Sequence, residues 1–570
     1  MVDSLSLNIN CISKSHPRHY LIHKYWSRKP HNVVSNYIKK FTSKNEIVLD
    51  PFMGSGVTLI ESLKLNRKAR GFDINPISCF LVQTFVSKIN IDQLTKTFNL
   101  IINDLKPYQS KYFFTKCPCG KKSKIINNLF TEKVGCDFCG EINYIKTAER
   151  KGNKYLCNKC NHPLRRINGN IKYQLKNIRG ECNFCGIFTK EPDEIDTILL
   201  EKINKEFLLK KGKKGFWAPD KKIIDSVRRS GKERLYELFS ERNLIGINLI
   251  IDIIKKRSST KEIKNLLLLT LTSCLSSASR MIPADEENIR GKSGWQLPKF
   301  YIFPSHIEKN IFVAFEARFK RNLAGFEELV DFRLDKKNCD IYNKSSTKMP
   351  SLKSNSVDFI FTDPPYGGTI QYLALSELWN SVLNLDSNFK EEIVIDKKRE
   401  KTAEEYKKDL TKVFKECYRV LKNNKYMALT FNARDMSILK SLTDSCKNAG
   451  FILMDVNHQD AAVTSATAGF NWKNTLKGDF IFIFKKSNKK QARKLKIKSV
   501  ESMEEEIIEN INSLVKNNGK LTKNQIFKKI IPEMIIKGLF ESKFMNEMDI
   551  DQIISENFVS KICDRTQIWD

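Results

Sequence analysis

The chain of 570 residues has no run of about twenty apolar residues, the length a helix needs to cross a hydrocarbon core, so no membrane partner is expected. Its opening, MVDSLSLNINCISKSHPRHY, has neither an apolar core nor a small-residue cleavage site, so secretion is not expected and a reducing cytoplasm is the expected location. Acidic residues are outnumbered, 65 Asp and Glu against 98 Lys and Arg, and the formal net charge of +33 exceeds what solubility requires. Such a charge attracts phosphate backbones through counterion release, which favours a nucleic-acid partner. A Lys/Ile/Asn-rich composition is also what an AT-rich genome produces, so charge supports that partner without establishing it. There is no solenoid repeat.

What is present suggests two to four folded units, since the length exceeds one ordinary domain and the 41% apolar content is only slightly below the globular norm. Residues 46 to 73 read strand, glycine loop, helix, strand (EIVLD, PFMGSG, VTLIESLKLN, ARGFD). A second α/β block starts at VDFIFTD and continues through KYMALTF, FILMDVN and DFIFIFKK. Together the blocks predict one doubly wound, Rossmann-like sheet. The division expected is 1–110 for the first part of that domain, 111–192 for a cysteine-rich insert, 193–330 for a helical insert suited to target recognition, 331–488 for the second part, and 500–570 for a small helical domain after a basic linker.

In VLDPFMGSG an apolar strand ends at Asp50, and a loop with Gly54 and Gly56 turns into a helix, where glycine lets backbone approach a ligand closely. The next strand ends in Asp73, placed where a carboxylate accepts the hydroxyls of a ribose. A pyrophosphate ligand is disfavoured, because GxGxxG is missing and no lysine stands ready for a phosphate.

The strongest single signal is VDFIFTDPPYGG, a strand that delivers Asp363, Pro364, Pro365 and Tyr366 at its carboxyl end. An aromatic exocyclic amine is a poor nucleophile because its lone pair is delocalised into the ring. Asp363 and the Pro364 carbonyl could accept its N–H bonds and aim that lone pair at an electrophile. The prolines stiffen the loop, and Tyr366 offers a face for a base extruded from the duplex.

Eight of the 15 cysteines come in close pairs, Cys117/Cys119, Cys136/Cys139, Cys157/Cys160 and Cys182/Cys185. Tight thiolate pairs suit tetrahedral zinc, and two structural ions are expected in sequential sets, 117/119/136/139 and 157/160/182/185. His162 reads as a surface residue, and no deaminase-type His-x-Glu accompanies the clusters. Lys121, Lys122, Lys124, Arg165 and Arg166 are candidates for phosphate contacts from this platform, and SRMIPADEENIRGKSGW, with Arg280, Arg290 and Trp295, for a loop entering DNA.

The DPFMGSG loop, the upstream RKPHNVVSNYI element and the Asp-Pro-Pro-Tyr tetrad resemble the amino-methyltransferases of DNA. HKYWSRKPHNVV, TDPPYGGTIQYLALSELWN and FYIFPSHIEKN narrow the likeness to adenine-specific DNA methylases that contain a zinc ribbon. The resemblance implies S-adenosylmethionine as cofactor, held by Lys29, Pro30, Phe52, Gly54, Gly56 and Asp73 beside Asp50, with Asp340 on its adenine amine. It implies methylation of adenine N6 in double-stranded DNA, sequence-specific and within restriction-modification or phage defence. The insert between the second and third sheet strands departs from the commonest family arrangement and leaves the place of target recognition open. Cytosine N4 methylation, an RNA base methyltransferase and an inactive zinc-ribbon nucleic-acid-binding protein are the competing readings. Gln371, Tyr372 and Asn432 fall in active-site loops but read equally well as plain polar positions.

Overall fold

The computed structural model describes residues 7, 9, 11–152, 154–166, 170–229, 231–285, 289, 295, 298–431, 436–460, 478–487, 499–519, 521–537, 550–558, 560–563 and 566–569. Its centre is a seven-stranded sheet built from β1 (Ile47–Asp50), β2 (Lys68–Phe72), β3 (Cys339–Tyr342), β4 (Val357–Thr362), β5 (Leu421–Phe431), β6 (Phe451–Gln459) and β7 (Asp479–Lys486), in the order β3-β2-β1-β4-β5-β7-β6. β1 pairs in parallel with β4 (Leu49 opposite Ile360) and with β2, while β7 enters antiparallel between β5 and β6.

Alternate side chains of the central strands enter different cores. Val48, Phe359 and Phe361 join one cluster, and Leu49 and Ile360 the other, so both faces of this mixed α/β sheet are covered. On one face α1 (His31–Phe41) buries Val33, Val34, Tyr37 and Ile38, a single stripe of a helical period. On the other, α2 (Ala403–Val420) buries Tyr406, Leu410, Val413, Phe414 and Cys417. Its start is fixed by a capping box in which Thr402 and Glu405 each satisfy the other's backbone N–H. From β1 the chain moves outward to β2, whereas from β4 it moves the opposite way to β5, and a crevice opens where the two directions diverge.

The segment between β2 and β3 contains a second sheet. Its long strands, Lys122–Gly135 and Ile171–Cys182, pair antiparallel, with Lys124 opposite Glu181 and Val134 opposite Ile171. Ser305–Lys309 adds to the other edge of Lys122–Gly135. The stretches separated at residue 192 therefore share one sheet, and helices Glu241–Arg257, Lys261–Ala278 and Ile311–Asp331 contribute to the same core as one face of the central sheet. A five-residue strand among long helices has too short a period to be read beforehand.

The carboxyl-terminal unit also differs from the purely helical expectation. Helices Val500–Asn518, Lys523–Ile536 and Ile550–Asn557 accompany a small sheet in the order Leu521–Thr522, Thr566–Trp569, Ser560–Cys563. Strands of two to four residues carry no readable alternation. Among the described residues no helix is long and apolar enough to cross a membrane.

Candidate active site and cysteine clusters

Asp50 closes β1 and is buried, its Oδ1 accepting the Phe52 N–H at 3.0 Å and its Oδ2 the Thr58 hydroxyl at 2.6 Å. The chain then turns through Gly54 (φ +49°) and Gly56 (φ +79°) into the helix Val57–Lys64. Gly56 is the residue before that helix, in left-handed geometry, and a Cβ there would overlap Cγ2 of Val82. The Asp73 carboxylate ties the end of β2 to this loop: Oδ2 accepts the Gly54 N–H and Oδ1 the Asn75 N–H, each at 2.8 Å. Burial pushes Asp50 up to about 7 and Asp73 up to about 6.

β4 is buried along its whole length and delivers Asp363 beside this loop. Asp363 Oδ1 accepts the Tyr366 hydroxyl at 2.7 Å and the Thr430 hydroxyl at 3.2 Å, and lies 3.4 Å from Lys29 Nζ. Lys29 also donates to the Tyr366 hydroxyl and to Asp479 Oδ2, the latter at 2.9 Å. Tyr406 on α2 donates to the Pro365 carbonyl at 2.6 Å and so pins the loop to the helix behind it. Burial pushes Asp363 up to about 6, against the opposing pull of the Lys29 ammonium.

One cleft, open to solvent, brings most of the expected site together: Lys29, Asp50, Phe52, Gly54, Asp73, Asp363 and Pro365 line it, with Tyr25, Trp26 and Tyr372 as aromatic walls. Pro30, Gly56, Pro364 and Tyr366 adjoin these lining residues in the chain, Pro30 as the residue that precedes α1. Tyr366 is not placed as a stacking face. Its ring is buried edge-on against Phe431, with Lys29 Nζ 5.0 Å from its centroid, because its hydroxyl is drawn into the Asp363–Lys29 cluster. Nor does Asp340 reach the cleft: it sits within β3, pairing with Arg70 at 2.9 Å, and Lys344, Ser345 and Ser346 beyond the strand end line the cleft instead. Gln371 is buried and accepts from Arg399 at 2.6 Å, a tie within the loop; Asn432 lies outside the described residues.

Sequence reasoning missed Asp479, Thr430 and Tyr406. Asp479 begins β7, and because β7 runs antiparallel, its first residue lies at the same sheet edge as the last residues of β4 and β5. No local motif marks it.

The eight paired cysteines do gather into two groups of four, but as 117/119/182/185 and 136/139/157/160, correcting the sequential sets. Antiparallel pairing of Lys122–Gly135 with Ile171–Cys182 sets the start of one strand against the end of the other, so the outer pairs meet at one end and the inner pairs at the opposite end. Within each group the sulfurs lie within 4.8 Å of one another; Cys136–Cys160 and Cys139–Cys157 are 3.6 Å apart and Cys119–Cys182 3.8 Å. The Ser123 hydroxyl and the N–H groups of Cys185 and Phe184 draw the Cys182 thiol down to about 6.

Three basic candidates change role. Arg166 is bidentate on the buried Glu132, at 2.6 and 2.8 Å, and Arg280 pairs with Glu241 at 3.0 Å. Lys124 pairs with Glu181 at 2.5 Å. Trp295 is buried among Trp26, Phe300 and Trp379, which removes it from any DNA-entering tip, and Arg290 lies outside the described residues.

A family model described as DNA methylase matches residues 6–83 and 357–546, the segments that carry the glycine loop, β4 and the Asp363 loop. The Type II methyltransferase M.MjaII of Methanocaldococcus jannaschii is 24% identical over 379 residues, covering 62% of this chain and 59% of that protein. The Type II methyltransferase M.BsoBI of Geobacillus stearothermophilus is 36% identical over 72 residues, 12% of this chain and 14% of that protein. The chain thus spans less than two thirds of the length of each of these relatives. Among solved structures, the cyclase SpnF is 13% identical with a TM-score of 0.17, over 29% of this chain and 63% of its own, a likeness too slight to bear on function.

Proposed function

We infer, from a chain whose residues 6–83 and 357–546 match the model of the N6/N4 DNA methylases, that it methylates the exocyclic N6 amine of adenine in double-stranded DNA, with S-adenosylmethionine as methyl donor. The observation that carries this reading is a single cleft lined both by the Gly54 loop with Asp73 and by Asp363 with Pro365. The donor set fits the cofactor. Backbone approaches closely where only glycine is accommodated, and Asp73, already holding two backbone N–H groups, keeps further lone pairs for ribose hydroxyls. When bound, S-adenosylmethionine supplies an electrophilic methyl group on a sulfonium sulfur.

The chain's own part is to make a weak nucleophile usable. The Asp363 carboxylate and the Pro364 carbonyl accept the N–H bonds of the amine, which localises the nitrogen lone pair and stabilises the charge that develops as the new bond forms. Lys29 favours the ionised form of Asp363 against the effect of burial, and Asp479 holds Lys29 in place. Tyr406 fixes the height of the loop through the Pro365 carbonyl. Adenine is favoured over cytosine because Asp rather than Ser begins the tetrad, and DNA over RNA because the matching family is described as DNA methylase. A sequence-specific role in restriction-modification or phage defence is part of the same proposal. The test incubates purified protein and labelled S-adenosylmethionine with DNA or RNA and resolves the product nucleosides by mass spectrometry. N6-methyladenine is expected; label only in RNA, or only as N4-methylcytosine, overturns the reading.

Two further outcomes bear on the same cleft. Asp73→Ala removes the ribose acceptor and loosens Gly54, so S-adenosylmethionine should bind about 1 to 3 kcal/mol more weakly. An unaltered calorimetric affinity would show that Asp73 serves only the loop. Lys29→Met takes away the cation that favours ionised Asp363, so the carboxyl should rise further above about 6. Wild-type turnover should climb with pH as that group ionises, and the variant should climb at higher pH. A pH-rate profile that keeps its midpoint in the variant refutes this role.

The eight cysteines fit two structural zinc ions. Tetrahedral coordination at ~2.3 Å per bond places sulfurs ~3.8 Å apart, close to the 3.6 to 3.8 Å found. Complete sets of four thiolates leave no position for a substrate, so these ions would hold the ends of the inserted hairpin and take no part in methyl transfer.

A further inference from the structure

Both ends of the inserted hairpin carry a feature that the methyl-transfer reading does not use. Among the described residues the exposed phenylalanines are Phe138 and Phe184, at 75% and 76% exposure, in a chain with 36. Each stands at the same point of its cluster, just before the second cysteine in Cys136-Asp-Phe-Cys139 and Cys182-Asn-Phe-Cys185. The remaining phenylalanines described are at least partly buried, so leaving the same ring in water at both clusters forgoes hydrophobic stabilisation twice.

Their surroundings are cationic as well as apolar. Lys121 Nζ lies 5.4 Å from the Phe184 ring, and the His162 ring stacks on Phe138 at 5.5 Å. Ile187 and Ile142 are exposed nearby in sequence. Residues 117–190 hold fifteen Lys and Arg against five Asp and Glu, an excess that survives two tetrathiolate zinc centres of charge −2 each. Exposed aromatic faces interleaved with cations match a polymer of bases and phosphates better than an apolar protein surface.

We propose that Phe138 and Phe184 are nucleobase contacts, two apolar tips that wedge into base steps of duplex DNA from opposite ends of the hairpin. The fourteen-residue strand between the clusters spans ~45 Å at about 3.3 Å per residue, roughly 13 base pairs at ~3.4 Å each. One hairpin therefore reaches across more than a helical turn, with Lys121 placed to meet a phosphate beside Phe184. Apolar wedges of this type unstack a base step and bend the duplex, and the bend presents more DNA to the protein. The proposal rests on the reading of DNA as substrate.

The test uses the full, zinc-loaded chain and a duplex longer than the hairpin, with affinity measured by fluorescence anisotropy for wild type, Phe138→Ala, Phe184→Ala and the double variant. Each single change should weaken binding roughly 5- to 100-fold, with zinc content and S-adenosylmethionine affinity unchanged. The slope of log affinity against log salt should stay constant in these neutral substitutions, whereas Lys121→Gln should lower it by about one. A double variant that binds like wild type, or that weakens only in proportion to lost zinc, overturns the proposal. Methyl transfer by wild-type protein to unmethylated genomic-length DNA, which offers many sequence contexts, is measured in parallel and reports on the substrate reading separately. Turnover with an unaffected double variant overturns the phenylalanine contact alone; weakened binding without any turnover supports the contact and overturns the substrate reading.

Discussion

Asp363→Ala is expected to lower methyl transfer by at least ~10²-fold, the cost of deleting one preorganised group that stabilises charge in a transition state, while S-adenosylmethionine still binds. The carboxylate lies on the strand-end loop that the target amine is proposed to face, whereas the ligand loop is secured separately by Asp50 and Asp73. Its removal also leaves Asp479 as the carboxylate partner of Lys29 and deprives the Tyr366 hydroxyl of its acceptor, so part of the loss comes from a loosened loop. Asp363→Asn separates the two contributions, since it keeps the shape and one acceptor oxygen but removes the charge that Lys29 neutralises. Single-turnover rates combined with calorimetry of cofactor binding decide the matter. Near-normal turnover in Asp363→Ala would remove Asp363 from the chemistry, and loss of cofactor binding would move it to the cofactor site.

The difference between what could be read from the chain and what could not follows from range along the sequence. Asp50, Gly54, Gly56, Asp73 and Asp363 each stand at the end of an apolar strand or in the turn that follows, and strand-turn-helix patterns are local, so their placement was readable. Lys29 was readable as part of a binding element but not as the ion that bridges Asp363 and Asp479. That bridge needs β7 to run backwards beside β5, a pairing between residues separated by about half a hundred positions and without a local signal. Asp340 failed for a smaller reason of the same kind: three more residues of chain bring Asn343, and then Lys344, past the strand end, and only there does the backbone reach the cleft. Arg166 and Arg280 read as free cations in the sequence because their partners, Glu132 and Glu241, are distant along the chain.

The cysteine clusters allow the sharpest test of that long-range pairing. Removing structural zinc should unfold the hairpin ends, because thiolate sites of this kind contribute ~10 to 16 kcal/mol of apparent binding free energy that is also folding free energy. Wild-type protein is expected to hold two zinc ions, and paired Cys→Ser variants should distinguish the two ways of grouping the ligands. Cys117 and Cys182 belong to one cluster, so Cys117→Ser/Cys182→Ser should keep one ion, whereas Cys117→Ser/Cys136→Ser strikes both clusters and should keep none. Sequential grouping exchanges these outcomes. The physical ground for the nested result is the register of the hairpin, with Lys124 opposite Glu181 beside the outer pairs and Val134 opposite Ile171 beside the inner ones. Atomic absorption on protein purified without chelator supplies the count, and amide hydrogen exchange locates the damage. Loss of protection at Ser123 and Lys124 with Ile145 still protected is expected for Cys117→Ser/Cys182→Ser. The reverse pattern, or one ion retained by Cys117→Ser/Cys136→Ser, would show that Lys122–Gly135 does not run as one strand between the two clusters.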